Sequence, residues 1–349
     1  MKANNSNQPE ISIIIPTYNR PKVLRYCVLS VLNQNFENWI AYVIGDSCSE
    51  STEEVINSLN DERIIYYNNP YRFGEQSGGN SIGIALAETK YIAFLNHDDI
   101  WTSNHLEKAL QKFKEQEGNF YIGRSVSYSK TENNQPVLKY SSSKNIKPYW
   151  TFTAYFARFE PCSTWVVKSS FAKKIGYWKQ SAMLQRYPIQ DYIMRAWRSG
   201  AKFIFPEEIT CIRMIPHLAI ENNRYSYFGN EYELIFHLIK NQNALNKKLE
   251  NKNLTQLTYT KNNWKREGAN RFLQFTFNVI YELFVNRITA YLYYYTGIDT
   301  HSILFDALMQ KRGAKMRKSL QKRTGEDTLN KYDITRIVNT AKENMKEVR

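Results

Sequence analysis

The sequence predicts an α/β protein: a doubly wound, mostly parallel sheet followed by a C-terminal α-helical extension. Three observations carry this. Short β-branched or aromatic runs alternate with helix-period stretches through the first hundred residues. Each run gives way at once to polar residues, as strands buried on both faces of a parallel sheet do. From about Glu221 the pattern becomes helical, with few Gly or Pro breaks.

In order, Ile11–Ile15 reads as the first strand, ending in the polar loop Pro16-Thr17-Tyr18-Asn19-Arg20. Pro21 opens a helix to Asn33, with Val23, Leu24, Cys27, Val28, Val31 and Leu32 on a helical period. Trp39–Ile44 is a second strand, ending in Gly45-Asp46-Ser47. Thr52–Leu59 is a short helix and Ile64–Tyr67 a third strand. Phe73–Gly83 reads as a glycine-rich turn leading into a helix over Ser81–Glu88. Tyr91–Leu95 is a buried strand, followed by Asn96-His97-Asp98-Asp99 and a helix over Thr102–Gln116. A β-α-β-α-β-α-β series of this kind argues for parallel, right-handed crossovers. Beyond it, residues 119–148 suggest a hairpin or insertion. Ser163–Lys168 reads as a strand, Ser169–Ile175 as a helix and Ile189–Ser199 as a helix ended by Gly200. Lys202–Phe205 and Ile209–Met214 read as strands. The division expected is a disordered stretch 1–10, a catalytic domain 11–220 with halves at 11–100 and 101–220, and a helical basic, aromatic region 221–349.

Composition narrows the class. The chain of 349 residues is 42% hydrophobic, enough for a substantial core. Its net charge of +14 is uneven: residues 1–100 hold 7 basic and 12 acidic side chains, residues 101–349 hold 40 and 21. A basic later part suggests an anionic partner. Cys27, Cys48, Cys162 and Cys211 show no metal-ligand spacing and read as reduced thiols of a cytosolic protein. The polar N-terminus MKANNSNQPE is unlike a signal peptide, and no uninterrupted apolar run reaches the ~18 residues of a membrane span.

The chemistry concentrates at strand ends. Asp98 and Asp99 follow a buried strand, where open α/β sheets bind ligands, and both are hard donors suited to Mg²⁺ or Mn²⁺. Taken alone, the pair could equally be a solvated turn capping the next helix. The wider pattern decides. ISIIIPTYNR, YVIGDSCSES and GGNSIGIALAETKYIAFLNHDD, in that order, resemble the family 2 inverting glycosyltransferases of the GT-A (Rossmann-like) fold over about residues 10–215.

The resemblance implies a nucleotide-sugar site on Pro16, Thr17, Tyr18, Asn19, Asp46, Asn80 and Asp98, with Tyr18 offering an aromatic face and Asp46 an acceptor to a uracil. It implies a divalent metal, Mn²⁺ or Mg²⁺, held by Asp99 with His217 as a possible further ligand, and Asp191 as catalytic base. Pro161–Trp165 would line the acceptor side, Trp165 or Trp178 could stack on a sugar or equally be buried core residues, and Arg213 and Arg224 could contact a diphosphate. The chain departs from the family pattern in carrying one acid at Gly45-Asp46, Gly79 in place of a basic residue, and one acid at Gln190-Asp191. The expected activity is transfer from a nucleotide-sugar, a UDP-sugar, to a hydroxyl of a saccharide or lipid-linked acceptor in surface polysaccharide assembly. A sugar nucleotidyltransferase and a non-catalytic membrane- or polysaccharide-binding protein are the alternatives. The former lacks its glycine-rich loop after the first strand; the lone acids keep the latter open.

Phe272–Tyr295 is dense in Phe and Tyr, and Lys311–Arg323 holds seven basic residues and no acid. That pairing fits an anionic membrane surface on the inner face, or a helix packed on the catalytic domain or on the second subunit of a homodimer. No recognition motif accompanies the charge, so nucleic acid is not an expected partner.

Overall fold

The computed structural model describes residues 8–130, 136–140, 161–181, 184, 187–214, 229–240, 286–297 and 334–346. His217, Arg224, residues 1–7, most of Phe272–Tyr295 and all of Lys311–Arg323 lie outside the described residues.

The strands are β1 (Ile11–Thr17), β2 (Trp39–Asp46), β3 (Ile64–Asn69), β4 (Tyr91–Phe94), β5 (Asp99–Trp101), β6 (Phe120–Ile122), β7 (Arg124–Lys130), β8 (Pro136–Tyr140), β9 (Trp165–Lys168), β10 (Phe203–Ile204) and β11 (Ile209–Met214). Seven form the main sheet in the order β10-β6-β9-β4-β1-β2-β3, and β5-β11-β7-β8 form a second sheet. In the main sheet only β9 is antiparallel to its neighbours. The helices are α1 (Pro21–Leu32), α2 (Glu50–Asn57), α3 (Gln76–Leu86), α4 (His105–Glu115), α5 (Ser169–Ile175), α6 (Pro188–Arg198), α7 (Gly229–Lys240), α8 (Asn286–Thr296) and α9 (Ile334–Lys346).

Strand period divides the core. Ile11, Ile13 and Ile15 face α1, α2 and α4, while Ile14 faces α3, α5 and α6. The described C-terminal helices pack onto this body: α7 against α1 and the second sheet, α8 against α6, and α9 against α3.

Three elements differ most from the sequence reading: Asp99–Trp101 is an unexpected strand, Phe120–Ile122 joins the main sheet where a hairpin or insertion is expected, and the third helix starts earlier. Gln76–Leu86 is helix throughout, so the glycine-rich stretch is helix interior instead of a turn. The reason is close packing. A Cβ on Gly83 would run into the Ile14 side chain, one on Gly78 into the Phe73 ring, and one on Gly79 would sit 2.8 Å from the Pro16 Cβ. The glycines let α3 lie directly on β1, which outweighs the ~1 kcal/mol each costs in a helix.

Candidate active site

The site is built where β1, β2 and β4 end. Thr17 closes β1; it is buried, and its hydroxyl has no partner. Beyond it, Tyr18 lies under the Arg72 guanidinium, 4.1 Å from the ring centroid. Asn19 takes a positive φ of 42°, and its Oδ1 accepts from the Ser49 amide (2.7 Å) and hydroxyl (3.0 Å), tying the β1 loop to the β2 loop. Pro16 contributes its carbonyl, which accepts from His97 Nδ1 at 3.1 Å, while Arg20 Nη1 donates to His97 Nε2 at 3.4 Å. These two bonds define a neutral His97, and burial pushes its pKa down.

Asp46 ends β2. Its two oxygens accept separately from the Phe73 amide (2.6 Å) and the Gly74 amide (2.7 Å), so the carboxylate organises the loop that carries Arg72. Burial raises its pKa, against the opposing pull of those two amides and Arg72. Next to this loop, the Glu75 carboxylate accepts from Ser77 Oγ (2.9 Å) and from the amide (2.7 Å) and hydroxyl of Ser181, joining the start of α3 to the segment before α6. Asn80, one turn into α3, is fully buried, and neither side-chain amide atom has a partner. An unpaired buried amide is costly to keep unless a ligand satisfies it.

The two aspartates after β4 face opposite ways. Asp98 keeps 25% of its side chain exposed and lies 3.7 Å from Arg20 Nη1. Asp99, the first residue of β5, is 2% exposed. Its Oδ2 accepts from Ser163 Oγ (2.5 Å) and Asn96 Nδ2 (3.4 Å), and its Oδ1 from the Met214 amide (3.3 Å). Burial, with the Asp98 charge adding to it, pushes the Asp99 carboxyl up to about 7. Ser163 also accepts the Asn96 amide at 3.0 Å. Asp98 is the part-exposed carboxylate of the pair, and Asp99 is held inside the fold. Among the described residues no three His, Cys, Asp or Glu side chains converge on one point. One or two carboxylates completed by substrate phosphates is the usual provision for Mg²⁺-type ions, so the donor set at Asp98 fits one.

Asp191 lies in the first turn of α6, 11% exposed, and its Oδ2 accepts from Arg195 Nε at 2.7 Å. Arg195 also donates to the Ile175 and Tyr177 carbonyls at 2.8 and 2.9 Å. Helix α6 packs on the core through Tyr192, whose buried ring lies 6.1 Å from that of Phe94 in β4.

For the tryptophans the structure selects the buried alternative. Trp165 and Trp178 are core residues, 0% and 1% exposed, stacked with Tyr192 and unable to meet a sugar. Pro161–Trp165 is likewise buried. Arg213 is exposed and pairs in register with Asp99. The sequence reading missed Arg20, Glu75 and Ser163. Only Arg20, a basic residue following the β1 loop, had a signal to find.

The mostly parallel seven-stranded sheet, with hydroxyl, amide and carboxylate groups gathered at its C-terminal edge, is that of the GT-A fold. Residues 12–176 match the family described as glycosyl transferase family 2, and that stretch is a domain of this family. The chain is 32% identical over 136 residues to the Escherichia coli UDP-Glc:alpha-D-GlcNAc-diphosphoundecaprenol beta-1,3-glucosyltransferase WfgD, covering 39% of this chain and 52% of that protein. It is 34% identical over 110 residues to the Campylobacter jejuni GalNAc(5)-diNAcBac-PP-undecaprenol beta-1,3-glucosyltransferase, covering 31% and 35%. The chain thus spans about half or less of these relatives' own length. The crystal structure of S. aureus TarS 1-349 in complex with UDP aligns with 97% of this chain and 92% of that one, at a TM-score of 0.51 and 15% identity, a likeness of fold.

Proposed function

We propose that the protein is an inverting glycosyltransferase that moves a sugar from a UDP-sugar to a hydroxyl of a saccharide or lipid-linked acceptor in surface polysaccharide or glycoconjugate assembly. The observation that carries this is Asn80, a fully buried amide of α3 whose two polar atoms have no partner among the described residues, next in the chain to Gly79, which packs against Pro16 at the end of β1. The names of the relatives support the donor and acceptor classes: one is a UDP-Glc-dependent enzyme, and both act on diphosphate-linked undecaprenol carriers. In this reading residues 11–220 form the catalytic unit and 221–349 an appended helical region, working at the cytoplasmic face of a membrane.

Tyr18 and Arg72 offer a flat cationic–aromatic platform for a base, and Thr17, Asn80 and the Asp46 loop supply polar groups around it. Asp98, not Asp99, is the carboxylate for a Mn²⁺ or Mg²⁺ ion, which when bound offsets charge on the departing diphosphate. Asp191 is the base: Arg195 keeps the carboxylate oriented through Oδ2, leaving Oδ1 for the proton of the acceptor hydroxyl. The same ion pair favours a second reading, a non-catalytic binding protein in which Asp191 serves only to brace α6.

Calorimetric titration of UDP, GDP and dTDP, each with Mn²⁺ and again with EDTA, tests the proposal. Metal-dependent UDP binding that disappears in Asp98→Ala and Asn80→Ala supports it. Preference for another nucleotide overturns the UDP assignment, and UDP binding without hydrolysis or transfer of UDP-sugars moves the binding-protein reading to first place.

A further inference from the structure

Helix α8 has two unlike faces. One is seated on α6: the Tyr294 ring lies 5.0 Å from that of Trp197, Arg198 Nε donates to the Tyr294 carbonyl at 3.2 Å, and Tyr293 is buried. Gly297 ends the helix at φ 74° and leaves room for the Arg198 guanidinium, which a Cβ would meet at 2.5 Å. The other face presents Ile288, Tyr291, Leu292 and Tyr295, exposed by 57, 64, 39 and 64%. Their spacing of i, i+3, i+4 and i+7 makes one continuous stripe, the pattern by which a helix normally meets a core. Four large apolar residues in a row on a surface mark a contact site.

The stripe's chemistry favours one occupant. Its tyrosines are amphipathic rings of the kind that settle at headgroup depth, in place of the Leu, Ile and Phe that fill a protein core. The three helices that meet here, α5, α6 and α8, carry five basic residues, Lys173, Lys174, Arg195, Arg198 and Arg287. Their one acid, Asp191, is paired with Arg195. Lys173, Lys174 and Arg198 are exposed, and Lys174 reaches the Ser199 carbonyl at the end of α6. An apolar, tyrosine-rich stripe on a helix packed against α6, where Arg198 and, from α5, Lys173 and Lys174 are exposed, is complementary to an anionic lipid surface. Among the described residues no helix is long and apolar enough to cross a membrane, so contact by this helix would be interfacial.

We infer that the Ile288–Tyr291–Leu292–Tyr295 face of α8 docks the protein on anionic lipid headgroups. This deepens, and for its purpose rests on, the lipid-linked acceptor reading. Helix α8 is seated at Trp197 and Arg198 near the C-terminal end of α6, and Asp191 lies in its first turn, about 10 Å along the helix from Arg198. A saccharide rising from a headgroup could span that distance.

Sedimentation of the full chain with vesicles, without donor or acceptor, tests the inference separately from transfer. Vesicles of phosphatidylglycerol and phosphatidylcholine are compared with phosphatidylcholine alone, for wild type and for Tyr291→Ser/Tyr295→Ser, with Tm and UDP titration measured on both proteins. The inference expects salt-sensitive binding to the anionic vesicles only, weakened about tenfold or more in the variant at unchanged Tm and UDP affinity. It is overturned by equal binding of the two proteins, by no binding of wild type, or by a wild-type dimer that the variant dissociates. Loss of UDP binding in both proteins would instead sink the transfer reading and leave the membrane result standing.

Discussion

Removing one of two adjacent carboxylates should have opposite consequences depending on which is removed. Asp99→Ala strips the acceptor from Ser163 Oγ and the Met214 amide, both in the interior. Each orphaned donor costs about 1–3 kcal/mol, and relief of the carboxylate's own burial returns part of that. The net expectation is roughly 2–5 kcal/mol of lost stability. Asp98→Ala loses a part-exposed contact of 3.7 Å with Arg20, worth about 1 kcal/mol or less. At roughly 2–4 °C per kcal/mol for a large domain, Asp99→Ala should melt about 5–15 °C below wild type and Asp98→Ala within a few degrees of it. Thermal unfolding without metal reads this difference. Titration of UDP with Mn²⁺ supplies the other arm, where Asp98→Ala should lose metal-dependent affinity while Asp99→Ala, held below its Tm, retains it. Equal Tm values for the two variants, or metal dependence lost only in Asp99→Ala, would refute the assignment.

Three further predictions rest on other contacts. His105, buried and stacked on Trp101 at 4.3 Å, has its pKa lowered to about 3 by burial, so its contribution is full above the unfolded value near 6.5 and lost as pH falls toward 3. At about 1.4 kcal/mol per unit, wild type should lose about 2 kcal/mol from this ring between pH 7 and 5, and urea unfolding of His105→Gln should show a correspondingly smaller change. Asp46→Asn sets an amide donor against the Phe73 or Gly74 amide and should weaken UDP binding about tenfold or more, as a lost charge-assisted bond of about 1.5–3 kcal/mol implies. Gly83→Ala drives a methyl into Ile14 and should cost about 1–3 kcal/mol in denaturant unfolding despite alanine's better helix propensity.

What the sequence concealed follows from where the deciding contact lies. The strand ends were legible because apolar runs and the polar residues after them are local, and Thr17, Asp46, Asn80 and Asp98 stand at the sheet edge or on the helix packed against it. Glycine is locally ambiguous: Gly78, Gly79 and Gly83 read as turn residues until the helix is seen pressed on Ile14, Pro16 and Phe73. The choice between Asp98 and Asp99 is harder still. Asp99 begins β5, whose antiparallel partner β11 lies more than a hundred residues later, with Arg213 opposite Asp99 and Ile212 opposite Ile100. That distant strand brings the Met214 amide to Asp99 Oδ1, and this contact helps hold the Asp99 carboxylate inside the fold while Asp98, outside the strand, stays part-exposed. Ser163, on a 3-10 turn of the same interior, completes the lock. The Asp191–Arg195 pair was visible as i,i+4 spacing, but its second task, bonding the Ile175 and Tyr177 carbonyls beyond α5, was not. The candidate site residues sit where the chain ends a strand, and the residues that hold them there are fixed by partners from elsewhere in the chain: Ser163 and the Met214 amide keep Asp99 inside and leave Asp98 as the carboxylate at the surface.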